Sequence, residues 1–280
     1  MSQVKLSSDV EILKISHENF QAEVSLYGGQ VLRFKPSAQR EVLWLSNQSK
    51  YQQGIAIRGG IPLCWPWFGA NNKHDIKSDN HGFARQHVWQ VDQLTANEQE
   101  VALVLTLEGE NVHSLWPNAF KLEQTLVFSQ SIQQTLSMTN LSKTDIDHSG
   151  ALHSYFSVSN PENIRIDNLT GVNFDDSLTG HSEKQHDRVD CLGPVDRIYH
   201  SNQVMEIVDE KWSRRIKLTS VGCQQWVLWN PGKELVNQMP DIHQQGEQEY
   251  VCLEAANAHW QVLSAGETAV MSQKVEIFSL

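Results

Sequence analysis

An acid, a base and an anion grip can all be drawn from this sequence. His153 sits in Ala151-Leu152-His153-Ser154-Tyr155-Phe156-Ser157-Val158, a strongly β-prone run. Alternation places His153, Tyr155 and Ser157 on one face of that strand and Leu152, Ser154 and Phe156 on the other. Glu254 ends the apolar run Tyr250-Val251-Cys252-Leu253 and is followed by Ala255-Ala256-Asn257. A buried carboxylate is costly unless it is paired or hydrogen-bonded. Expense alone makes Glu254 a functional candidate, although a structural ion pair would account for it equally. A lone strand histidine is ordinarily a hydrogen-bonded sheet residue. Together, an imidazole and a carboxylate are the minimum needed to put one proton on a substrate and take another off.

The anion grip comes from a different stretch. Arg58-Gly59-Gly60-Ile61-Pro62-Leu63-Cys64-Trp65-Pro66-Trp67-Phe68-Gly69 is followed by His81-Gly82-Phe83-Ala84-Arg85. Two prolines remove backbone donors and the paired glycines open backbone angles closed to other residues. The segment therefore reads as a fixed, irregular loop carrying Trp65, Trp67, Phe68 and Phe83. Such rings can wall a small-molecule pocket. A guanidinium at each end could hold an anion bidentately. The alternative is a packed loop with two surface arginines.

Other chemistries find little support. There is no Ser nucleophile elbow, no phosphate loop of P-loop or dinucleotide type, and no H-E-x-x-H. Of the twelve histidines, the pairs His148 and His153, His181 and His186, and His74 and His81 lack ligand spacing, so no metal is expected. Cys64, Cys191, Cys223 and Cys252 are scattered and read as buried structural thiols in a reducing cytoplasm. The formal net charge of -11 argues against nucleic acid or an anionic membrane as partner. No apolar run reaches membrane-spanning length, and the polar start, Met1 to Asp9, carries no signal region.

The elements that must position these residues are strands. Val10 to Ile15, Ala22 to Tyr27 and Val31 to Phe34 alternate apolar and polar, with Gly28-Gly29 as a turn. Glu100 to Leu107 and Phe120 to Met138 continue the pattern. Further strands are predicted at Asn163 to Ile166, Arg215 to Thr219, Gln225 to Trp229, Tyr250 to Leu253 and Val270 to Ile277. Helical turns are predicted only near Leu115 to Asn118 and Asp241 to Gln248, and Gly180 to Asp190 reads as an exposed loop. The fold class is all-β: one domain, residues 1–280, built as a large antiparallel β-sandwich.

Arg58-Gly59-Gly60-Ile61-Pro62, Trp65-Pro66-Trp67-Phe68-Gly69, His81-Gly82-Phe83-Ala84-Arg85, Leu152-His153-Ser154-Tyr155-Phe156, Val195-Asp196-Arg197-Ile198-Tyr199, Trp229-Asn230-Pro231 and Glu254-Ala255 occur in that order. From about Tyr27 to the C-terminus the chain resembles the hexose-6-phosphate mutarotases, or glucose-6-phosphate 1-epimerases, which are similar to the aldose 1-epimerases. The resemblance implies a sandwich of galactose-mutarotase type, a cofactor-free interconversion of sugar anomers, a phosphosugar substrate and a cytoplasmic setting; the chain is expected to act as a monomer. By it, His153 matches the general acid and Glu254 the general base. Arg58, Arg85 and Asp196 match substrate-binding positions. Asn80 stands where Gln is frequent and reaches less far. His81 adjoins these contacts as a further candidate. A salt bridge to Arg197 is the competing role for Asp196. An enzyme acting on free sugars and a non-catalytic phosphosugar-binding protein remain the rival readings.

Overall fold

Alternating burial builds the sheets. In Phe120–Phe128 and Ser131–Asn140 every second residue is buried, which is the period of a strand with one face on a core. A computed structural model describes residues 2–6, 10–71 and 80–280, with strand backbone alone at 2–6. His74 lies outside the described residues.

The chain opens with a meander, β1 (Ser2–Leu6), β2 (Val10–His17), β3 (Phe20–Ser25) and β4 (Gln30–Pro36), which forms a four-stranded sheet in that order. It continues with β5 (Leu63–Cys64), β6 (Gln90–Ala96), β7 (Val101–Gly109), β8 (Phe120–Phe128), β9 (Ser131–Asn140) and β10 (Ile146–Leu152). Next come β11 (Tyr155–Ser157), β12 (Ile164–Asp167), β13 (Asn173–Asp176), β14 (His181–Lys184), β15 (Val195–Tyr199) and β16 (Met205–Asp209). The last strands are β17 (Arg214–Val221), β18 (Gln225–Asn230), β19 (Tyr250–Leu263) and β20 (Thr268–Ser279). One eight-stranded sheet runs β14-β13-β15-β18-β19-β10-β5, with β11 also paired to β19. The other runs β12-β16-β17-β20-β9-β8-β7-β6. Every pairing between these strands is antiparallel. The all-β antiparallel expectation holds.

One continuous core draws on all three sheets. It includes Phe20 and Phe34 of the meander, Trp226, Leu228 and Leu253 of the site-bearing sheet, and Leu103, Leu122 and Leu218 of the other. The first eight residues of β19 are all buried. Leu253 and Ala255 face the core, while Tyr250, Cys252 and Ala256 pack in separate clusters on the opposite face. Glu254 alternates with Leu253 and Ala255, so it lies on that opposite face.

A polar ladder crosses the core to the site. Gln124, Gln134 and Gln273 are all buried. The Gln124 amide donates to the Gly29 carbonyl (2.5 Å), Gln134 donates to Gln124 (2.6 Å), and Gln273 donates to Gln134 (2.9 Å) and to the Ser154 hydroxyl (2.9 Å). Buried amides cost free energy unless they are paired in this way. The ladder's last rung is the residue beside His153.

Several local expectations shift. Short helix α1 (Gly232–Val236) follows Asn230-Pro231 and was not predicted; Leu115 to Asn118 forms no helical turn, and Trp116 instead bridges back to His113 across a tight turn. The helical turn foreseen within Asp241 to Gln248 is a 3-10 turn at Gly246–Gln248. The polar stretch from Gly180 is not wholly loop, because His181–Lys184 pairs with β13 as an exposed edge strand.

Candidate active site

His153 is presented by a break in a strand. The run Ala151 to Val158 divides into β10 and β11, and the break falls at His153-Ser154. The backbone there is held from outside: His153 N–H donates to the Pro62 carbonyl and Tyr155 N–H to the Gly60 carbonyl. The Arg58-to-Gly69 segment is thus pinned along this strand, with Leu63 and Cys64 paired to Leu152 and Ala151. Gly60, at φ 66°, also passes so close to the meander that a Cβ would run into the Val31 carbonyl.

The aromatic-wall expectation needs correction. Trp65, Trp67 and Phe83 are buried in the main core, where Trp65 meets Trp116 edge-on at 4.7 Å and packs on Phe120 at 4.8 Å. Of the loop's four rings only Phe68 lines the cavity. Its other apolar walls include Ile198, Val227, Trp229, Leu235 and Met239, the last two from the α1 region. A pocket face and a core face have the same composition in sequence.

That cavity, about 660 Å³, is lined by Arg58, Asn80, His81, Arg85, His153, Asp196 and Glu254. All seven candidate residues therefore share one site. His153 Nδ1 lies 3.4 Å from Glu254 Oε1, and both side chains are nearly inaccessible. The imidazole stacks on Tyr155 with ring centroids 4.8 Å apart and planes 7° apart. Burial, then the charges of Arg85 and Arg58, pushes the imidazole well below its ordinary range. Burial, then Asp196, pushes the Glu254 carboxyl well above its own. Burial thus disfavours an imidazolium–carboxylate pair and favours two neutral partners, with the pair's one titratable proton on Glu254.

The two arginines differ. Arg58 donates from Nε to Asp241 at 2.8 Å and from Nη1 to the Tyr155 hydroxyl at 2.9 Å. Burial works against its charge, but Tyr155 and Asp241 outweigh that and hold it firmly protonated. Among the described residues, Arg85 donates only from Nη2 to the Asn80 carbonyl, at 2.7 Å, and its buried Nε has no hydrogen-bond partner. Asp241, unforeseen from sequence, orients one guanidinium while Arg85 keeps donors for a ligand.

Asp196 is not bridged to Arg197. That guanidinium turns to Asp176 at 3.1 Å and lies over the Phe174 ring at 4.4 Å. Burial raises the Asp196 carboxyl, opposed by a hydrogen bond from Ser177, itself a lining residue missed from sequence. His81 accepts the Gly69 N–H at Nδ1 (3.2 Å), which leaves Nε2 as the protonated nitrogen of a neutral ring. Burial, then the charge of Arg85, pushes it well below its ordinary range.

His153, Cys252 and Glu254 bring ligating atoms within 4.8 Å of one another. Burial and then the Glu254 charge push the Cys252 thiol well above its usual range, which makes it a poor ligand and nucleophile. All four cysteines are free and buried, and burial pushes Cys191 and Cys223 up to about 12.

The family profile described as aldose 1-epimerase matches residues 11–276. An Escherichia coli (strain K12) protein named "Putative glucose-6-phosphate 1-epimerase" is 30% identical over 276 residues, 96% of this chain and 91% of its own. A Salmonella typhimurium protein of the same name is 31% identical over 256 residues, covering 89% of this chain and 84% of that one. The crystal structure of a "putative mutarotase" from Salmonella typhimurium superposes with a TM-score of 0.92 at 28% identity, covering 99% of this chain and 93% of that one. The chain, with its paired imidazole and carboxylate inside an antiparallel sandwich, belongs to the aldose 1-epimerase family.

Proposed function

We propose that this protein interconverts the α and β anomers of a hexose 6-phosphate by general acid–base catalysis, with the whole chain acting as one domain. The observation that carries the reading is the His153–Glu254 pair, 3.4 Å apart, at the wall of a cavity that also presents Arg58 and Arg85. One group takes the proton of the anomeric hydroxyl while the other gives a proton to the ring oxygen. The C1–ring oxygen bond breaks as the C1 carbonyl forms. The aldehyde carbon rotates, and closure on its other face runs the same transfers in reverse. With the proton starting on His153, Glu254 serves as base and His153 as acid in ring opening; with the proton on Glu254, the arrangement burial favours, the same transfers run with the roles exchanged. The reaction returns every proton it borrows, so a pair holding one proton in total suffices.

Asp196 and Asn80 are placed to bind sugar hydroxyls, and neutral His81 can donate a further hydrogen bond. Arg85, with Arg58 beside it, takes the phosphate, since a dianion suits paired guanidinium groups. The relatives' names point to the same substrate. We further propose action as a cytoplasmic monomer. Four unpaired thiols support a reducing compartment. Among the described residues no helix is long and apolar enough to cross a membrane.

The test is mutarotation of α-glucose 6-phosphate and α-glucose, followed side by side by polarimetry or exchange NMR above the uncatalysed rate. Faster turnover of the phosphosugar is expected. Equal or better turnover of glucose would make this a free-sugar epimerase. Binding of glucose 6-phosphate without turnover would make it a sensor.

A further inference from the structure

A second cluster of histidines and a carboxylate stands apart from the acid–base pair. Asp175 lies on β13, His200 follows the last residue of β15, and His259 lies on β19. His200 Nε2 is 3.0 Å from Asp175 Oδ2, and His259 Nε2 is 3.6 Å from the same oxygen. All three ligating atoms lie within 4.8 Å of one another. The two imidazoles are nearly parallel, 9° between planes and 5.7 Å between centroids. The other carboxylate oxygen, Oδ1, accepts the Ser182 hydroxyl at 2.6 Å.

These separations match a known geometry. Tetrahedral zinc holds nitrogen and oxygen ligands at about 2.0–2.2 Å, which sets neighbouring ligand atoms roughly 3.3–3.6 Å apart. The two separations, 3.0 and 3.6 Å, bracket that edge. A hydrogen bond accounts for the first but not for the second, where two imidazole nitrogens turn toward one oxygen. The bond from Ser182 fixes the carboxylate so that Oδ2 is the oxygen left to coordinate, the usual outer support of a metal ligand. Two imidazoles and one carboxylate favour a borderline ion such as Zn²⁺ over Mg²⁺ or Ca²⁺, which prefer oxygen-only shells.

We propose that Asp175, His200 and His259 form a divalent transition-metal site of zinc type, with three protein ligands and an open fourth position. Binding displaces the proton from His200 Nε2 and places it on Nδ1. The site shares a sheet face with the sugar cavity. Asp175 pairs with Ile198, Ile198 with Val227 and Val227 with Glu254, one row across four strands. Three strand spacings put Asp175 roughly 14 Å from Glu254. Ile198 and Ala258, neighbours of the cluster, line the cavity, so the ion would sit at its rim. The sugar reaction does not require it.

The experiment is calorimetric titration of the chelator-stripped full chain with Zn²⁺, repeated with Co²⁺ to read the tetrahedral visible spectrum. Wild type should bind one ion. The surface double variant His200→Ala/His259→Ala should lose at least a hundredfold in affinity while keeping its circular dichroism and its mutarotation rate. Asp175→Asn should weaken binding similarly, and Ser182→Ala by about tenfold. Absence of binding by wild type would overturn the proposal. So would equal binding by the double variant, which would place the ion at His153, Cys252 and Glu254 or at scattered histidines.

Discussion

Removing the Arg85 guanidinium should cost phosphosugar turnover and spare free glucose. Arg85 lines the cavity, donates to one backbone carbonyl among the described residues, and keeps a buried Nε without a partner. A charge-assisted hydrogen bond to phosphate contributes about 1.5–3 kcal/mol. At about 1.4 kcal/mol per factor of ten, Arg85→Ala should lower kcat/KM for glucose 6-phosphate by roughly 10- to 150-fold. Glucose, lacking the phosphate, should lose less than about threefold. Lysine restores charge without the planar fork, so Arg85→Lys should recover only part of the loss. Arg58→Ala should behave differently. Its Nε and Nη1 already serve Asp241 and Tyr155, and Tyr155 carries the His153 ring. Its loss strands a partly buried carboxylate at about 1–3 kcal/mol of stability and loosens the imidazole, so both sugars should suffer. The assay is kcat/KM for both sugars in wild type and both variants at fixed ionic strength, with melting curves alongside. Equal losses on the two sugars in Arg85→Ala would refute the assignment and favour an enzyme of free sugars.

His153→Ala should lower kcat on glucose 6-phosphate by about a hundredfold or more with the fold intact, as loss of a general acid does; full activity in a folded variant would overturn the role. Glu254→Gln should abolish turnover with substrate affinity nearly unchanged, and the same variant should be more stable than wild type. The Glu254 carboxyl is raised on folding, so its ionisation costs stability progressively as pH climbs from the unfolded value toward the folded one. The gain in Tm from Glu254→Gln should therefore grow between pH 5 and pH 8; a constant gain would show that the carboxyl is not held up. His153 has the opposite shift, and protonating both partners requires a pH well below 6.5, so kcat should stay flat across the neutral range and fall only outside it. Gln273→Ala removes the ladder's link to Ser154 and should cost about 1–3 kcal/mol in denaturant unfolding by stranding Gln134 and Ser154.

What could be read from the sequence was what physical cost marks. Glu254 stands out because a carboxylate inside an apolar strand is expensive, and it lies on the site face with neighbouring Cys252 equally buried. The strands announce themselves through alternation, as in Phe120–Phe128. Burial cost, however, does not say which buried surface a side chain meets. Trp65 and Trp67 look the same whether they wall a pocket or fill a core, and here they fill the core. The glutamines of the ladder fall in the apolar phase of their strands, Gln124 between Leu122 and Leu126 and Gln134 between Ile132 and Leu136, and only three-dimensional pairing reveals why amides are tolerated inside. Asp241 is hidden for a related reason. It belongs to a polar segment distant in sequence from Arg58, so nothing local marks it, yet it decides which guanidinium is already committed. The division of labour between the arginines, one anchored by Asp241 and Tyr155 and the other left, among the described residues, with an unpaired donor, is a property of contacts made across the sandwich. Sequence supplies the groups; which of their hydrogen bonds remain for a ligand is set only once the chain has closed around them.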